Sequence, residues 1–235
     1  PYAQKQVKMY EGRIEALESI RGYLKKQNEK YVIMTDSNVA VNFDFNDLLH
    51  AHMASGADAT VVYRKQEIPD SLIRKSTETV DMYYALGING DHVSKIYVNP
   101  TEKGKMNFCL NIYVMERERL IRMIDDAYVH GHTNFVRDIL ERQIEHLDVR
   151  GYCYDGYVAQ IHDMKSYFEE NMKLLQEENL NALFSGNQIY TKIRDDNPTR
   201  YINGSKAKNI MVADGCVIEG EVENSVLFRG VRIGK

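Results

Sequence analysis

Three short segments constrain this chain most. Tyr31-Val32-Ile33-Met34 is an unbroken apolar run, the pattern of a strand covered on both faces. Ala59-Thr60-Val61-Val62-Tyr63 is rich in β-branched residues and reads as a second strand. Between them a helix is expected from about Asn46 to Ala54, with Gly56 placed to end it in the left-handed conformation. Strand, helix, strand in that order predicts a parallel sheet with crossover helices, and so an α/β chain. A further helix, about Arg13 to Lys26, precedes them, with Ile14, Leu17, Ile20 and Leu24 at helical spacing.

The middle differs in style. Met82 to Ile88 and His92 to Val98 are strand-like runs joined by Asn89-Gly90-Asp91, a hairpin signal because Asn-Gly tolerates positive φ. Phe108 to Met115 reads as another strand. Two amphipathic helices are expected after it, about Arg117 to Tyr128 and Asn134 to Leu147. Gly151 to Ile161 has aromatic-rich strand character, and a last helix spans about Met164 to Leu175.

From Gln176 to Ser205 the composition turns polar, with Ser185-Gly186-Asn187, Asp195-Asp196-Asn197-Pro198 and Asn203-Gly204-Ser205, as in a linker along a surface. The last thirty residues change again. Val212 and Ile218 lie six apart, as do Cys216, Val222 and Phe228, with Gly215, Gly220 and Gly230 nearby. That spacing predicts the start of a β-helix, although Asn224 breaks the first register. The expected division is therefore an α/β domain over 1–176, a linker over 177–205 and the first rungs of a β-helix over 206–235. An initial crossover helix without its strand, and rungs that stop at Lys235, suggest part of a longer protein.

Composition enters as a set of exclusions. A net charge of −4 argues against polyanion binding driven by overall charge, so no nucleic-acid partner is expected. No apolar run approaches the length of a membrane span, so a soluble protein without a membrane partner is expected. There is no signal peptide, although one could lie ahead of Pro1. Cys109, Cys153 and Cys216 are odd in number and far apart, which fits reduced thiols in a cytoplasmic protein.

The tail from Val212 to Gly220 and from Asn224 to Gly234 closely resembles bacterial ADP-glucose pyrophosphorylases, the glucose-1-phosphate adenylyltransferases. Tyr190-Thr191-Lys192 and Pro198-Thr199-Arg200-Tyr201 look like that family's linker. Tyr10-Glu11-Gly12 with Glu15-Ala16-Leu17 resembles its first helix, and Gly56-Ala57-Asp58-Ala59-Thr60-Val61 the start of a family strand. Gly156-Tyr157 and Ser166 to Met172 match the stretch that ends its catalytic domain. The resemblance covers essentially the whole chain in the family's order. It implies a Rossmann-like nucleotidyltransferase (nucleotide-diphospho-sugar transferase) domain followed by a left-handed β-helix of hexapeptide repeats, in a tetramer serving glycogen synthesis.

In the active family, glucose 1-phosphate attacks the α-phosphorus of ATP and pyrophosphate leaves. Both substrates are anionic, so Mg²⁺ must neutralise charge and carboxylates must hold the Mg²⁺. The resemblance places one metal-binding Asp within a Gly-Asp-His triplet, which here reads Ser37-Asn38-Val39. A second Asp falls after a Gly-Tyr-Trp motif, where Gln160 stands in Gly156-Tyr157-Val158-Ala159-Gln160. The family's Glu-Lys-Pro, whose Lys meets the sugar phosphate, reads Val98-Asn99-Pro100, and a serine of the sugar pocket is replaced by Cys109. With neutral residues at all four positions, the resemblance implies a non-catalytic, regulatory subunit of GlgD type. Such a subunit is expected to bind no Mg²⁺ of its own, to pair with a catalytic homologue in a hetero-tetramer, and to answer a phosphorylated small-molecule effector. The alternatives are a transferase with rearranged ligands and a hexapeptide-repeat acyltransferase. The second lacks a catalytic His in the visible rungs.

Other polar residues read more plainly. Asp36 is expected to cap a turn at a strand end rather than to replace a metal ligand, and Asp44 to cap a helix. His130-Gly131-His132 reads as a solvated loop without metal-ligand spacing. Lys25-Lys26, Arg137, Arg142 and Arg150 read as solvated faces, and Cys109 as packing rather than a nucleophile.

Overall fold

The computed structural model describes residues 10, 12–69, 72–73, 83–102, 104–192 and 195–235. The chain forms two compact units, one of residues 1–36 and 45–155, the other of 37–44 and 156–235. Residues 156–176, expected within the first domain, thus cluster with the C-terminal strands.

In the first unit, the helix expected over Arg13–Lys26 is two short ones, α1 (Arg13–Ser19) and α2 (Arg21–Leu24). Ile20, at φ −106° and ψ 5°, separates them. The tighter bonds Ile20 N–H to Leu17 O and Tyr23 N–H to Ile20 O take up the turn, and Gly22 beyond it is a poor helix former. The apolar line survives the break. Ile14, Leu17 and Leu24 are buried in one cluster with Leu120, Ile124 and Ala127 of α4 (Arg117–Val129). α3 (Phe45–Ser55) ends at Gly56, whose φ of 65° is the expected left-handed stop.

The sheet is mixed and mainly antiparallel, which corrects the parallel expectation. Its order is β1 (Tyr31–Met34), β6 (Lys105–Glu116), β3 (Ala59–Glu67), β7 (Val149–Cys153), β5 (His92–Val98), β4 (Tyr84–Asn89). Among its described strands β3 and β7 are the directly paired parallel neighbours; β1 runs in the same direction as both, as the strand–helix–strand order predicts, but is separated from β3 by the antiparallel β6. The reason lies in β6. From Phe108 to Met115 every residue but Asn111 is buried, so this strand needs a partner along each edge. It inserts antiparallel between β1 and β3, the two strands the sequence places side by side. β1 becomes an edge strand in which Met34 alone is buried. Within β6 the register shifts: Val62 faces Ile112 but Tyr63 faces Cys109, and Asn111 adopts φ 57°. This bulge adds two residues and re-aims the side chains beside it.

The hairpin forms as expected, its left-handed residue being Gly90, although Met82 lies outside the described residues. The helix expected over Asn134–Leu147 is instead a π-helix, Val136–Glu141, followed by turns. Polar side chains at its start satisfy backbone N–H groups that have no partner within the helix. Asn134 Oδ1 accepts the Arg137 N–H, and the buried Asp138 carboxylate accepts those of Thr133 and Asn134.

The single strand expected over Gly151–Ile161 is divided between units. β7 lies beside β3 in the first, while β8 (Val158–Gln160) pairs antiparallel with β2 (Val39–Val41) in the second. α5 (Met164–Lys173) follows, held by a capping box of Asp163 and Ser166. The expected linker is more structured than its composition implies. It contains α6 (Glu177–Phe184) and β9 (Arg200–Tyr201), with 193–194 outside the described residues. Asn42 ties it down: its Nδ2 donates to Leu183 O and Asn187 O at 2.9 and 3.1 Å, and its Oδ1 accepts from Asn187 N–H at 3.0 Å.

The tail forms parallel ladders. β10 (Lys206–Val212) pairs with β12 (Glu221–Leu227), and β11 (Val217–Ile218) lies between β9 and β13 (Arg232–Ile233). Lys206 faces Glu221 and Val217 faces Arg232, a step of fifteen residues, whereas Arg200 faces Val217, a step of seventeen. The six-residue line Cys216, Val222, Phe228 does not share one buried face: Cys216 is buried, whereas Phe228 is 53% exposed and stacks on Tyr167. Asn224, which breaks the six-residue register, has a clear place. It and Asn209 are both left-handed, φ 48° and 47°, and the Asn209 Nδ2 donates to Asn224 Oδ1 at 2.7 Å.

Among the described residues no helix is long and apolar enough to cross a membrane. Cys109, Cys153 and Cys216 are all free thiols.

Candidate functional site

The two positions matched to metal ligands both lie in the second unit. In the β2–β8 ribbon Val39 pairs with Gln160, and the Asn38 carbonyl accepts the Ile161 N–H at 2.9 Å. Asn38 and Gln160 therefore stand at neighbouring positions of one two-stranded ladder, although far apart in the chain. Both carry neutral amides. The Asn38 Oδ1 is buried and has no hydrogen-bond partner among the described residues. An amide oxygen in that situation is a good acceptor but supplies no negative charge.

The two positions matched to sugar-phosphate contacts lie in the first unit, on strands flanking β4: Ala85 pairs with Tyr97 on one side and Phe108 on the other. Asn99 ends β5 in the left-handed conformation, φ 47°. Its Oδ1 accepts the Tyr83 N–H at 2.9 Å, while its own N–H donates to Tyr83 O at 2.9 Å. The amide oxygen is thus spent on closing the start of β4. Beside it an open groove of about 410 Å³ is bordered by Ile96, Pro100 and Met106 and by the carboxylates of Glu102 and Glu141. Among the described lining residues the charged side chains are those of Glu102 and Glu141.

Cys109 is fully enclosed, and burial pushes its thiol pKa up, so it is not a thiolate nucleophile. Its Sγ lies 3.4 Å from Tyr113 Oη, and Tyr113 donates to Asn111 Oδ1 at 2.9 Å, across the bulge of β6. Over the Tyr113 ring sits the guanidinium of Arg13, 5.2 Å from the centroid. Arg13 also forms an ion pair with Asp36, just after β1. Burial opposes the Arg13 charge, but Tyr113 and Asp36 outweigh it and its pKa is raised. Burial holds the Tyr113 phenol well above its ordinary range, so it stays a neutral donor.

Asp36 is therefore neither a turn cap nor a free metal ligand; its charge is met by Arg13. Asp44 stands immediately before α3. His130 and His132 stack at 6.0 Å, His132 lies 3.2 Å from Arg142, and His130 from the Asp126 carbonyl at 2.8 Å. The arginines expected on solvated faces are in part structural: Arg137 pairs with buried Asp138, and Arg150 joins Asp148 to Asp91.

Sequence reading missed Arg13, Asp36 and Tyr113 as a group. One signal was available. A basic residue in the first turn of a helix sits against the positive end of the dipole, a misfit that calls for a tertiary carboxylate. Nothing in sequence named Asp36 as that carboxylate.

No protein-family model matches the chain. It is 28% identical over 216 residues to the glycogen biosynthesis protein GlgD of Bacillus subtilis, covering 91% of this chain and 50% of that protein. It is 30% identical over 214 residues to GlgD of Geobacillus stearothermophilus, again 91% of this chain and 50% of the relative. It is 29% identical over 234 residues to the glucose-1-phosphate adenylyltransferase of Geobacillus stearothermophilus, covering 97% of this chain and 58% of the enzyme. The chain spans about half to three-fifths of the length of these relatives.

Proposed function

Since the chain belongs to the ADP-glucose pyrophosphorylase family as a member of GlgD type, we propose that it is a regulatory subunit in glycogen biosynthesis. It keeps the transferase framework and has little or no turnover of its own. The observation that carries this reading is the pair Asn38 and Gln160, adjacent in one ribbon and both uncharged. Adenylyl transfer from ATP needs Mg²⁺, a hard cation that favours carboxylates. Two amides, which supply no negative charge, do not fit it. Loss of one electrostatic contact in the transition state costs about 3 kcal/mol, roughly a hundredfold in rate. Losing several leaves little turnover, even though such losses need not add.

On this reading the chain assembles with a catalytic homologue as a hetero-tetramer, and a phosphorylated effector acts through that assembly. The parallel ladders of the second unit are then the first coils of a left-handed β-helix. Their support is the step of fifteen residues shared by the β10–β12 and β11–β13 pairings and the left-handed Asn209 and Asn224.

The test is turnover of the purified protein with ATP, Mg²⁺ and glucose 1-phosphate, alone and mixed with a catalytic homologue. The expected result is negligible turnover alone, and co-elution with a changed effector response in the mixture. Rates alone near those of an active pyrophosphorylase end the proposal.

A further inference from the structure

α3 meets the sheet through a narrow face. Of its 11 residues only Leu48 and His52 are buried, four apart and so on one side of the helix. Phe45 and Met53 are exposed. The His52 Nδ1 lies 2.8 Å from Thr60 Oγ1 on β3, and Thr60 is itself buried. The Tyr31 ring of β1 stands edge-on to the imidazole, centroids 5.3 Å apart. One of the two buried side chains that fasten this helix is thus titratable and almost free of water.

We propose that His52 is a pH-sensitive latch, in which a neutral imidazole holds α3 on the sheet and protonation frees the helix while the strands stay paired. A charged ring in this place needs a partner, and among the described residues His52 forms no ion pair. Charged groups stand near it on each neighbouring element. Lys30 Nζ lies over the Tyr31 ring at 5.1 Å, and Glu116 of β6 is opposite Tyr31 in register. Arg150 of β7 is opposite Thr60, its guanidinium held by Asp148 and Asp91. α3 itself carries Asp47 and His50 at exposed positions. None of them is hydrogen-bonded to His52, and burial lowers its pKa from 6.5. The ring therefore takes up a proton more readily once α3 lifts, so the attachment is complete above about pH 6.5 and weakens as pH falls. Helices below about 12–15 residues are marginal in water, so α3 frays when its face loosens. The strands beneath do not follow, because their buried residues, Val61 and Val62 of β3 and Ile112, Val114 and Met115 of β6, do not titrate.

The experiment is amide hydrogen exchange of the full chain at about pH 7.5 and about pH 5, with rates corrected for intrinsic chemistry. An unfolded-state pKa of about 6.5 limits the effect at the lower pH to roughly thirtyfold. Protection in α3 is expected to fall by about three- to thirtyfold, and in β3 and β6 by less than about twofold. His52→Gln is expected to make α3 protection independent of pH, whereas His50→Gln behaves as the parent. Should His52→Gln fail to fold, NMR titration of the His52 ring in the parent decides: a midpoint below 6.5 supports the latch and one at or above it overturns it. Equal losses in α3 and in the strands overturn the proposal, since the opening is then global. So does an unchanged α3 in the parent, or a pH response that persists in His52→Gln.

Discussion

At Asn99 two requirements coincide, a left-handed backbone and an amide that closes the start of β4. Lysine meets neither. Asn99→Lys is expected to lower stability by about 1–3 kcal/mol, read as a fall in the urea midpoint with an unchanged slope. A gain-of-function trial is therefore better confined to Asn38→Asp with Gln160→Asp. His52 supplies a pH dependence. It is 2% exposed, its Nδ1 lies 2.8 Å from Thr60 Oγ1, and burial lowers its pKa below the ordinary 6.5. The unfolded chain then binds the proton more readily, so this contribution is present above about pH 6.5 and is lost as pH falls through that value. Urea titrations at descending pH are expected to show the loss in the parent and a flatter profile in His52→Gln. Asp138 behaves as the carboxylate case. Arg137 first, then the Asn134 and Thr133 N–H groups, hold it at about 2, so its contribution is lost only as pH falls from about 4 toward 2.

Elements show where local pattern sufficed and where it did not. α3 and its Gly56 stop were legible because periodicity and terminator lie within a dozen residues. The π-helix was not, because nothing in the spacing of Val136, Ile139 and Leu140 distinguishes it from an α-helix. The approach of α1 to the Thr133 loop was also hidden. A Cβ on Gly12 would lie 2.3 Å from Thr133 O, where the Ile14 N–H bonds at 3.1 Å. Gly12→Ala is expected to cost about 2 kcal/mol or more, because backbone rather than a flexible side chain must move. In the tail, Asn224→Ala loses both the Asn209 bond and the residue type that tolerates positive φ. About 1–2 kcal/mol is expected, with a smaller loss for Asn224→Gly, measured by thermal unfolding.

At the scale of the whole molecule the two units are interleaved in sequence, since residues 37–44 interrupt the first and complete the second. A fragment of residues 156–235 lacks β2, the partner of β8, and Asn42, the tie for Leu183 and Asn187. It is expected to give poorly dispersed NMR spectra, whereas a version with residues 37–44 joined through a flexible linker is expected to recover dispersion. Well-resolved spectra from the short fragment would show that β2 is dispensable.

The amino-acid sequence by itself determined the apolar strand and helix segments, the resemblance that identifies the family, and the chemistry of Asn38, Gln160, Asn99 and Cys109. These are properties of residue type and near-neighbour spacing. Only the tertiary structure decided the antiparallel insertion of β6 between β1 and β3, the pairing of Asp36 with Arg13, the joining of Asn38 to Gln160 in one ribbon, and the structure within the polar linker. Each depends on contacts between segments distant in the chain, chosen by which arrangement covers β6 on both edges and satisfies buried charge. The periodicity of a single segment carries no record of that choice.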